Sequence, residues 1–341
     1  MRKLFIKLLW TLNLLAAFLL AGAYLSPFIN PNRVSLFAFL GLSYPILLYL
    51  NLGFVFLWIF VKRRLALLSL ILVLAGYPML HRYFQLFPDK VPDSQKGLKV
   101  MSYNVRNFQQ LGRKNKNATM KAVKNLIEQQ KPDVVCFQEF KVSKKAGKTF
   151  KLNMPSYGQG ENLIFTNLKV VRQGIVINKE EKKFGVYVDL LYKADTIRVF
   201  SIQLLSYSVS RELESYDKRE RVNRKRFIFS IAAKLNSGFT RRVRETETLR
   251  KVIARSPYPV IVCGDFNDPP ASFTYQQIVA GKLNDAFIES GSGFGNTYFW
   301  TFPKVRIDYI LTSQKFDIYN YEVIKTNLSD HLPVTAVVVP L

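Results

Sequence analysis

The sequence predicts an α/β (α+β) domain of two packed β-sheets with helices outside, preceded by three transmembrane helices. Three observations predict it. The first 88 of the 341 residues contain no Asp or Glu and hold three long apolar stretches. The remainder alternates short apolar runs of strand length with polar turns and a few helical periodicities. Several of those runs stop abruptly at a polar residue, most clearly Val260-Ile-Val-Cys-Gly-Asp-Phe-Asn-Asp-Pro-Pro270. A short apolar run bounded by Gly and Pro suits a strand covered on both faces.

The elements follow in chain order. Residues 4–23 and 36–60 are long enough to span a bilayer, and 65–80 approaches the roughly 20 residues required. The first is not read as a cleaved signal peptide, because another apolar run follows it instead of a small-x-small site and a soluble start. Two spans are the alternative to three. Arg2, Lys3 and Lys7 open the first span, Lys62, Arg63 and Arg64 form the second loop, and the first loop carries only Arg33. The positive-inside rule then places the N-terminus in the cytoplasm. Three spans put the rest of the chain outside, as a multi-pass membrane protein with an extracytoplasmic domain. No charge lies within the span centres, which argues against an ion or proton path.

Residues 1–88 are therefore the anchor, 89–97 a polar linker and 98–341 the main domain. Strands are expected at 99–105, 133–139, 163–166, 174–177, 185–192, 197–204, from Val260, at 307–311 and at 334–339. Residues 117–131 place Met120, Val123, Leu126 and Ile127 on one helical face. Residues 211–255 read as an amphipathic helical hairpin broken near Ser237-Gly238, and 272–280 as a short helix. Two packed sheets with helices outside satisfy this order.

The formal net charge is +25. Residues 89–341 carry 41 of the 49 Lys and Arg against all 24 acids, a net +17. Such a domain favours polyanions: nucleic acid, anionic lipid head groups or other phosphorylated substrates. A basic face resting on an anionic membrane is the alternative. Residues 218–250 are the place to look for a binding groove, or else are a solvated helical face. No protein partner is inferred. Cys136 and Cys263 lack metal-ligand spacing and read as buried core residues. Of the two histidines, His81 lies at a membrane edge, so imidazole chemistry falls on His331.

Five strand ends deliver polar residues: Asn104, Glu139, Asp265 with Asn267, Asp308, and Asp330 with His331. Together they offer oxygen ligands for a hard divalent cation plus one imidazole. A phosphate ester needs its charge neutralised, a water activated and a leaving oxygen stabilised.

The order Tyr-Asn-Val-Arg, Gln-Glu, Gly-Asp-Phe-Asn-Asp, Arg-Ile-Asp-Tyr-Ile, Ser-Asp-His-Leu-Pro resembles the endonuclease/exonuclease/phosphatase superfamily over about residues 98–341. The helices plus this domain look like its membrane-anchored bacterial branch. The resemblance implies a four-layer sandwich with the site at one end of two central sheets. It implies a metal-dependent phosphoric ester hydrolase of class EC 3.1, acting on phosphodiester or phosphomonoester bonds with Mg2+ or Mn2+. By the same resemblance Glu139 is the principal metal ligand, with Asn104 and Asp330 in or near the same shell. Asp265 would orient or deprotonate water, Asn267 would hold a phosphate oxygen, and His331, polarised by Asp308, would bind phosphate or move a proton. Many relatives carry His where this chain has Gln203, and Gln supplies no proton at neutral pH. The alternative is thus a catalytically weakened binding module that grips anionic lipid or nucleic acid.

Overall fold

The computed structural model describes residues 1–88, 97–109, 115–141, 150–207, 224–299 and 303–341. The expected linker falls almost wholly outside them, as does the first part of the expected hairpin. The chain divides into two compact units. One comprises residues 1–83, 207–243 and 268–276, the other residues 84–206, 244–267 and 277–341.

The first unit holds α1 (Arg2–Leu25), α2 (Leu36–Leu42), α3 (Tyr44–Val61), α4 (Ala66–Ala75) and α5 (Tyr77–Leu80). Two of these, α1 and α3, are long and apolar enough to cross a membrane. At 1.5 Å per residue they extend about 36 and 27 Å. The third expected span is corrected: it is not one helix but α4 and α5, divided at Gly76. Pro78 lacks an amide donor and suits a new helix start, not a helix interior. A Cβ at Gly76 would also meet the Tyr24 hydroxyl at 2.0 Å. The broken segment nevertheless returns to its starting neighbours. Met79 and Tyr83 share one apolar cluster with Leu20 and Ala23 near the end of α1 and with Tyr44, Leu47 and Leu48 at the start of α3.

Deeper among these helices lies a buried polar chain. The Trp58 indole donates to Asn13 Oδ1 (2.7 Å), Asn13 Nδ2 to Ser69 Oγ (2.6 Å), and Ser69 Oγ to Asn51 Oδ1 (3.0 Å). Asn51 Nδ2 reaches the Ala16 carbonyl at 3.0 Å. Satisfied side-chain hydrogen bonds between apolar helices are worth about 0.6–2 kcal/mol each and fix helix register.

The helical hairpin is also corrected. Residues Arg224–Ala254 form one continuous helix of 31 residues, α7, without a break at Ser237-Gly238. Gly238 serves close approach instead, since a Cβ there would meet the Tyr207 ring at 2.6 Å. Phe239 packs edge-on against Phe39 of α2 (5.1 Å between centroids) and against Tyr207 (5.4 Å). The Tyr207 hydroxyl donates to Asp268 Oδ1 at 2.6 Å, and buried Arg242 donates to the same carboxylate. A short helix, α8 (Phe273–Val279), follows the Pro269-Pro270 stop.

The second unit contains two six-stranded mixed sheets flanked by helices. Its strands are β1 (Leu98–Asn104), β2 (Val134–Gln138), β3 (Ser156–Gln159), β4 (Asn162–Thr166), β5 (Lys169–Ile177), β6 (Lys183–Tyr192), β7 (Asp195–Gln203), β8 (Val260–Asp265), β9 (Leu283–Asp285), β10 (Asp308–Ser313), β11 (Phe316–Val323) and β12 (Val334–Pro340). One sheet runs β11-β12-β1-β2-β4-β3 and the other β5-β6-β7-β8-β10-β9. All nine expected strands are present; β3, β9, β11 and the short helix α9 (Ala286–Ser290) add to them.

Residues with side chains between the sheets, such as Val100, Val134, Val188, Ile261 and Ile310, are fully buried. Each contributes about 1.5–3 kcal/mol of apolar burial. Helix α6 (Lys116–Gln130) starts where Asn115 Oδ1 accepts from the Ala118 amide (3.1 Å) and stops at Lys131 in the left-handed region, just before Pro132. Its Met120, Val123 and Ile127 share a core with Tyr103 and Phe137.

Two parallel pairs position the site. β1 lies parallel to β2, and β7 parallel to β8. Parallel pairing brings carboxyl ends together, so Asn104 stands opposite Gln138 and Gln203 opposite Asp265. β10 is antiparallel to β8, so its first residue, Asp308, also stands opposite Asp265.

Gly264 lets β7 and β8 approach at that end, because a Cβ there would lie 1.9 Å from the Ile202 carbonyl oxygen. Gly264→Ala is expected to destabilise the chain by about 3 kcal/mol. In a domain of this size that is a drop of roughly 10 °C in melting temperature. A calorimetric scan of the purified protein checks it, and an unshifted transition would contradict the close approach.

Candidate active site

The strand ends gather one connected group of side chains. Asn104, at the end of β1, donates from Nδ2 to Asp265 Oδ2 (2.9 Å) and to Glu139 Oε1 (3.2 Å). Gln203, at the end of β7, donates to the same Glu139 oxygen at 2.8 Å. Glu139 follows β2 with φ 52°, a left-handed backbone that turns the chain out of the strand. The Asn107 amide fixes this turn by donating to the Glu139 carbonyl at 2.8 Å.

Asp265 ends β8, and Asn267 folds back onto it. The Asn267 backbone amide donates to Asp265 Oδ1 (2.8 Å), and its side-chain amide reaches Asp265 Oδ2 (3.1 Å) and the Leu204 carbonyl (2.9 Å). Asn267 has φ 53°, which Asn tolerates better than most residues.

His331 completes the group. Its Nδ1 lies 2.9 Å from Asp308 Oδ2 and 3.2 Å from Asp308 Oδ1. Its Nε2 points the other way, 3.8 Å from Asp265 Oδ2. The Tyr298 ring packs beside the imidazole at 4.9 Å between centroids. Thr297 Oγ1 accepts from the backbone amides of Ile307 and Asp308, which holds the start of β10 in place.

Asp330 takes a different part. Its carboxylate pairs with Arg106 Nε at 3.2 Å and accepts from Ser329 Oγ at 3.2 Å. The single Ser329 Oγ proton is shared with the Asn104 backbone carbonyl, the nearer acceptor at 2.9 Å, so this segment is tied to the end of β1. The sequence singled out eight residues, and seven of them (Asn104, Glu139, Gln203, Asp265, Asn267, Asp308 and His331) form the group joined above. Asp330 is held beside it by Ser329 and Arg106. Arg106, Thr297, Ser329 and Tyr298 are contributions that sequence reasoning passed over. Arg106 stands two residues after Asn104 and was visible in the motif, whereas Tyr298 and Thr297 come from a stretch without periodicity.

Burial shapes the protonation states. Asp265 and Asp308 are buried almost completely, and His331 retains 5 % exposure. Burial raises the Asp265 carboxyl to about 7; His331 and the amide donors pull it down, while Asp308 pushes it further up. For His331 burial acts downward, but the Asp308 and Asp265 carboxylates outweigh it and bring the imidazole up to about 10. At neutral pH the group therefore contains an imidazolium held by Asp308, beside a carboxyl poised near neutrality. Such a pair can fix an anionic oxygen and take a proton from water. Ligand atoms of Asp265, Asp308 and His331 also lie within 4.8 Å of one another, a spacing compatible with a cation.

The profile of the Endonuclease/Exonuclease/phosphatase family matches residues 101–331, and that of a domain of unknown function (DUF8431) matches residues 6–83. No curated protein sequence matches the chain. The fold is similar to that of an endonuclease/exonuclease/phosphatase from Bacteroides vulgatus, with 14% identity, a TM-score of 0.54, and coverage of 72% of this chain and 100% of that one. An endonuclease/exonuclease/phosphatase family protein from Bacteroides thetaiotaomicron gives 16% identity, 0.52, 72% and 96%. The human Nocturnin catalytic domain with bound sulfate anion gives 15% identity, 0.51, 73% and 97%. These are likenesses of fold.

The two-histidine sequence makes the imidazole directly observable. In a His81→Gln background, His331 is expected to titrate near 10 by NMR. Asp308→Asn is expected to bring that midpoint down toward the ordinary histidine value of about 6.5. A midpoint that ignores the substitution would show that Asp308 does not hold the proton.

Proposed function

Since the chain belongs to the endonuclease/exonuclease/phosphatase family, we propose that it is a membrane-anchored, divalent-metal-dependent hydrolase of phosphate esters, with phosphodiesters of nucleic acid or lipid head groups as the leading class. One observation carries this reading: the buried line from Asn104 through Asp265 to His331 and Asp308. A hydrolase uses such a line, whereas a silent binding module of the same fold has no need to keep it.

Each residue then has a task. Asp265 receives a proton from the attacking water, for which a value near neutrality is well matched. Asn104 and Asn267 hold Asp265 by their amides and keep its oxygens directed. Asn267 is also placed to donate to a phosphate oxygen. His331, charged and steered by Asp308, binds a nonbridging oxygen or supplies a proton to the departing group. Gln203 orients Glu139 by a hydrogen bond and supplies no proton.

Glu139, Asn104 and Asp330 are the residues we assign to a magnesium or manganese ion, which when bound neutralises phosphate charge. They fit a hard cation because they offer oxygen donors and because two amides steer the Glu139 carboxylate. The Asp265, Asp308 and His331 trio is assigned to proton and charge handling instead, since His331 Nδ1 is already committed to Asp308.

The membrane reading rests on α1 and α3 and on the returning segment α4–α5. Because Met79 and Tyr83 join the end of α1 and the start of α3, the chain leaves the helices at the end away from the Lys62-Arg63-Arg64 loop. The positive-inside rule then favours three crossings and an extracytoplasmic domain.

Two experiments test the proposal. With bis(p-nitrophenyl) phosphate and manganese, Asp265→Asn is expected to lower kcat about 10²- to 10⁴-fold. For the parent, kcat/KM should fall below about pH 7 as Asp265 is protonated, and above about pH 10 as His331 loses its proton. Glu139→Gln should weaken Mn2+ binding, read by EPR, by more than about tenfold, and His331→Gln should not. Absence of turnover on any phosphate ester, with metal binding indifferent to Glu139, would defeat the enzymatic reading. For topology, alkaline phosphatase fused to the C-terminus should be active in bacterial cells and a green fluorescent protein fusion dark; the reverse pattern would place the domain in the cytoplasm.

A further inference from the structure

We infer that the first turns of α7 form a membrane-surface contact, with Ile228 and Phe229 entering the apolar boundary of an anionic leaflet and Arg224, Lys225 and Arg226 at its head groups. The inference rests on the membrane-anchored reading and adds a second, peripheral attachment to it.

Two large apolar side chains of this segment face solvent. Phe229 is 74% exposed and Ile228 56%, on a helix whose later residues, such as Phe239 and Val243, are buried. The polar half is charge. Between residues 224 and 244 there are seven Lys and Arg and no acid. The two halves are stacked along the helix: Arg224 precedes Ile228, and Lys225 precedes Phe229, by one turn each. Long basic side chains can lie along an apolar surface while their charged ends stay wet, so each pair suits a head-group boundary. A helix with Arg and Lys beside exposed Phe and Ile is the composition of an interfacial segment.

Location identifies the occupant as lipid. This half of α7 belongs to the same compact unit as α1 and α3. Phe239 touches Phe39 of α2, the short helix between the end of α1 and the start of α3. At that level the two long apolar helices leave a bilayer. Phe229 is ten residues from Phe239, about 15 Å along the helix axis. The same basic residues would be attracted to phosphatidylglycerol more than to zwitterionic lipid.

The test uses the full chain reconstituted in vesicles of mixed phosphatidylcholine and phosphatidylglycerol. Nitroxide labels are placed singly by Ile228→Cys, Phe229→Cys, Arg241→Cys and Phe18→Cys; the native Cys136 and Cys263 are buried. Collision with oxygen reports lipid, and collision with a water-soluble nickel chelate reports water. Positions 228 and 229 should favour oxygen as position 18 in α1 does, and position 241 should favour nickel. In phosphatidylcholine alone, or with Arg224, Lys225 and Arg226 all replaced by Gln, the oxygen preference at 229 should fall severalfold. Nickel preference at 228 and 229 with oxygen preference at 18 overturns this inference and leaves the anchor standing. Nickel preference at all three positions overturns the anchor as well. Protection from both probes, with cross-linking between copies through 229, assigns the face to a second copy of the chain and overturns the lipid contact. An unchanged preference in phosphatidylcholine removes the head-group role.

Discussion

One buried carboxamide joins the two sheets at the end where the candidate site lies. Asn104 belongs to the first sheet, yet its Nδ2 donates both to Glu139, which follows its own sheet, and to Asp265, which ends a strand of the other. The Asn104 backbone carbonyl meanwhile accepts from Ser329, so a third segment is held to the same point. A buried amide of this kind has no water to fall back on, and leaving it unpaired costs about 1–3 kcal/mol. The sheets are therefore most stable with their ends in the register that aligns the two carboxylates. The same hydrogen bonds that satisfy the core build the site.

Around that tie the electrostatics are asymmetric. On one side Glu139 receives two neutral amides and keeps its charge for something else. On the other, Asp265 and Asp308 flank His331 and share a positive charge among them. Packing such groups together is costly in a low-dielectric interior unless each is paired. The structure meets that cost by giving every carboxylate a donor. The proposed function gives the two halves different partners, a metal cation for one and the anionic oxygens of a phosphate for the other.

Much of this was legible in the sequence, for a definite reason. The central strands β1, β2, β8, β10 and β12 are buried on both faces, so each appears as an apolar run, and a polar residue at its end is conspicuous. The added elements lack that contrast. β11 reads Phe-Asp-Ile-Tyr-Asn-Tyr-Glu-Val at a sheet edge, with Asn320 and Glu322 exposed and its alternation broken by a bulge between Tyr319 and Glu322. β9 has three residues, too few for a period. Gly238 suggested a helix break but answers to the Tyr207 ring, a contact between residues distant in sequence. The division at Gly76 was hidden by hydropathy, which counts apolar residues without asking whether Pro78 can continue a helix. In the site, six of the seven joined residues were found from strand ends and Gln203 from the family resemblance, whereas Arg106 beside Asp330 and Tyr298 beside His331 required the fold. Arg106 reaches Asp330 across more than two hundred residues of sequence.

The backbone at Glu139 has an evolutionary consequence. A non-glycine residue in the left-handed region carries a penalty of about 1–2 kcal/mol. At this position the fold would be better served by glycine or asparagine, and only the carboxylate argues for glutamate. Under the metal-binding role proposed for Glu139, thermodynamics and turnover pull residue 139 in opposite directions. A lineage released from selection on its chemistry would drift away from glutamate here and gain robustness by doing so.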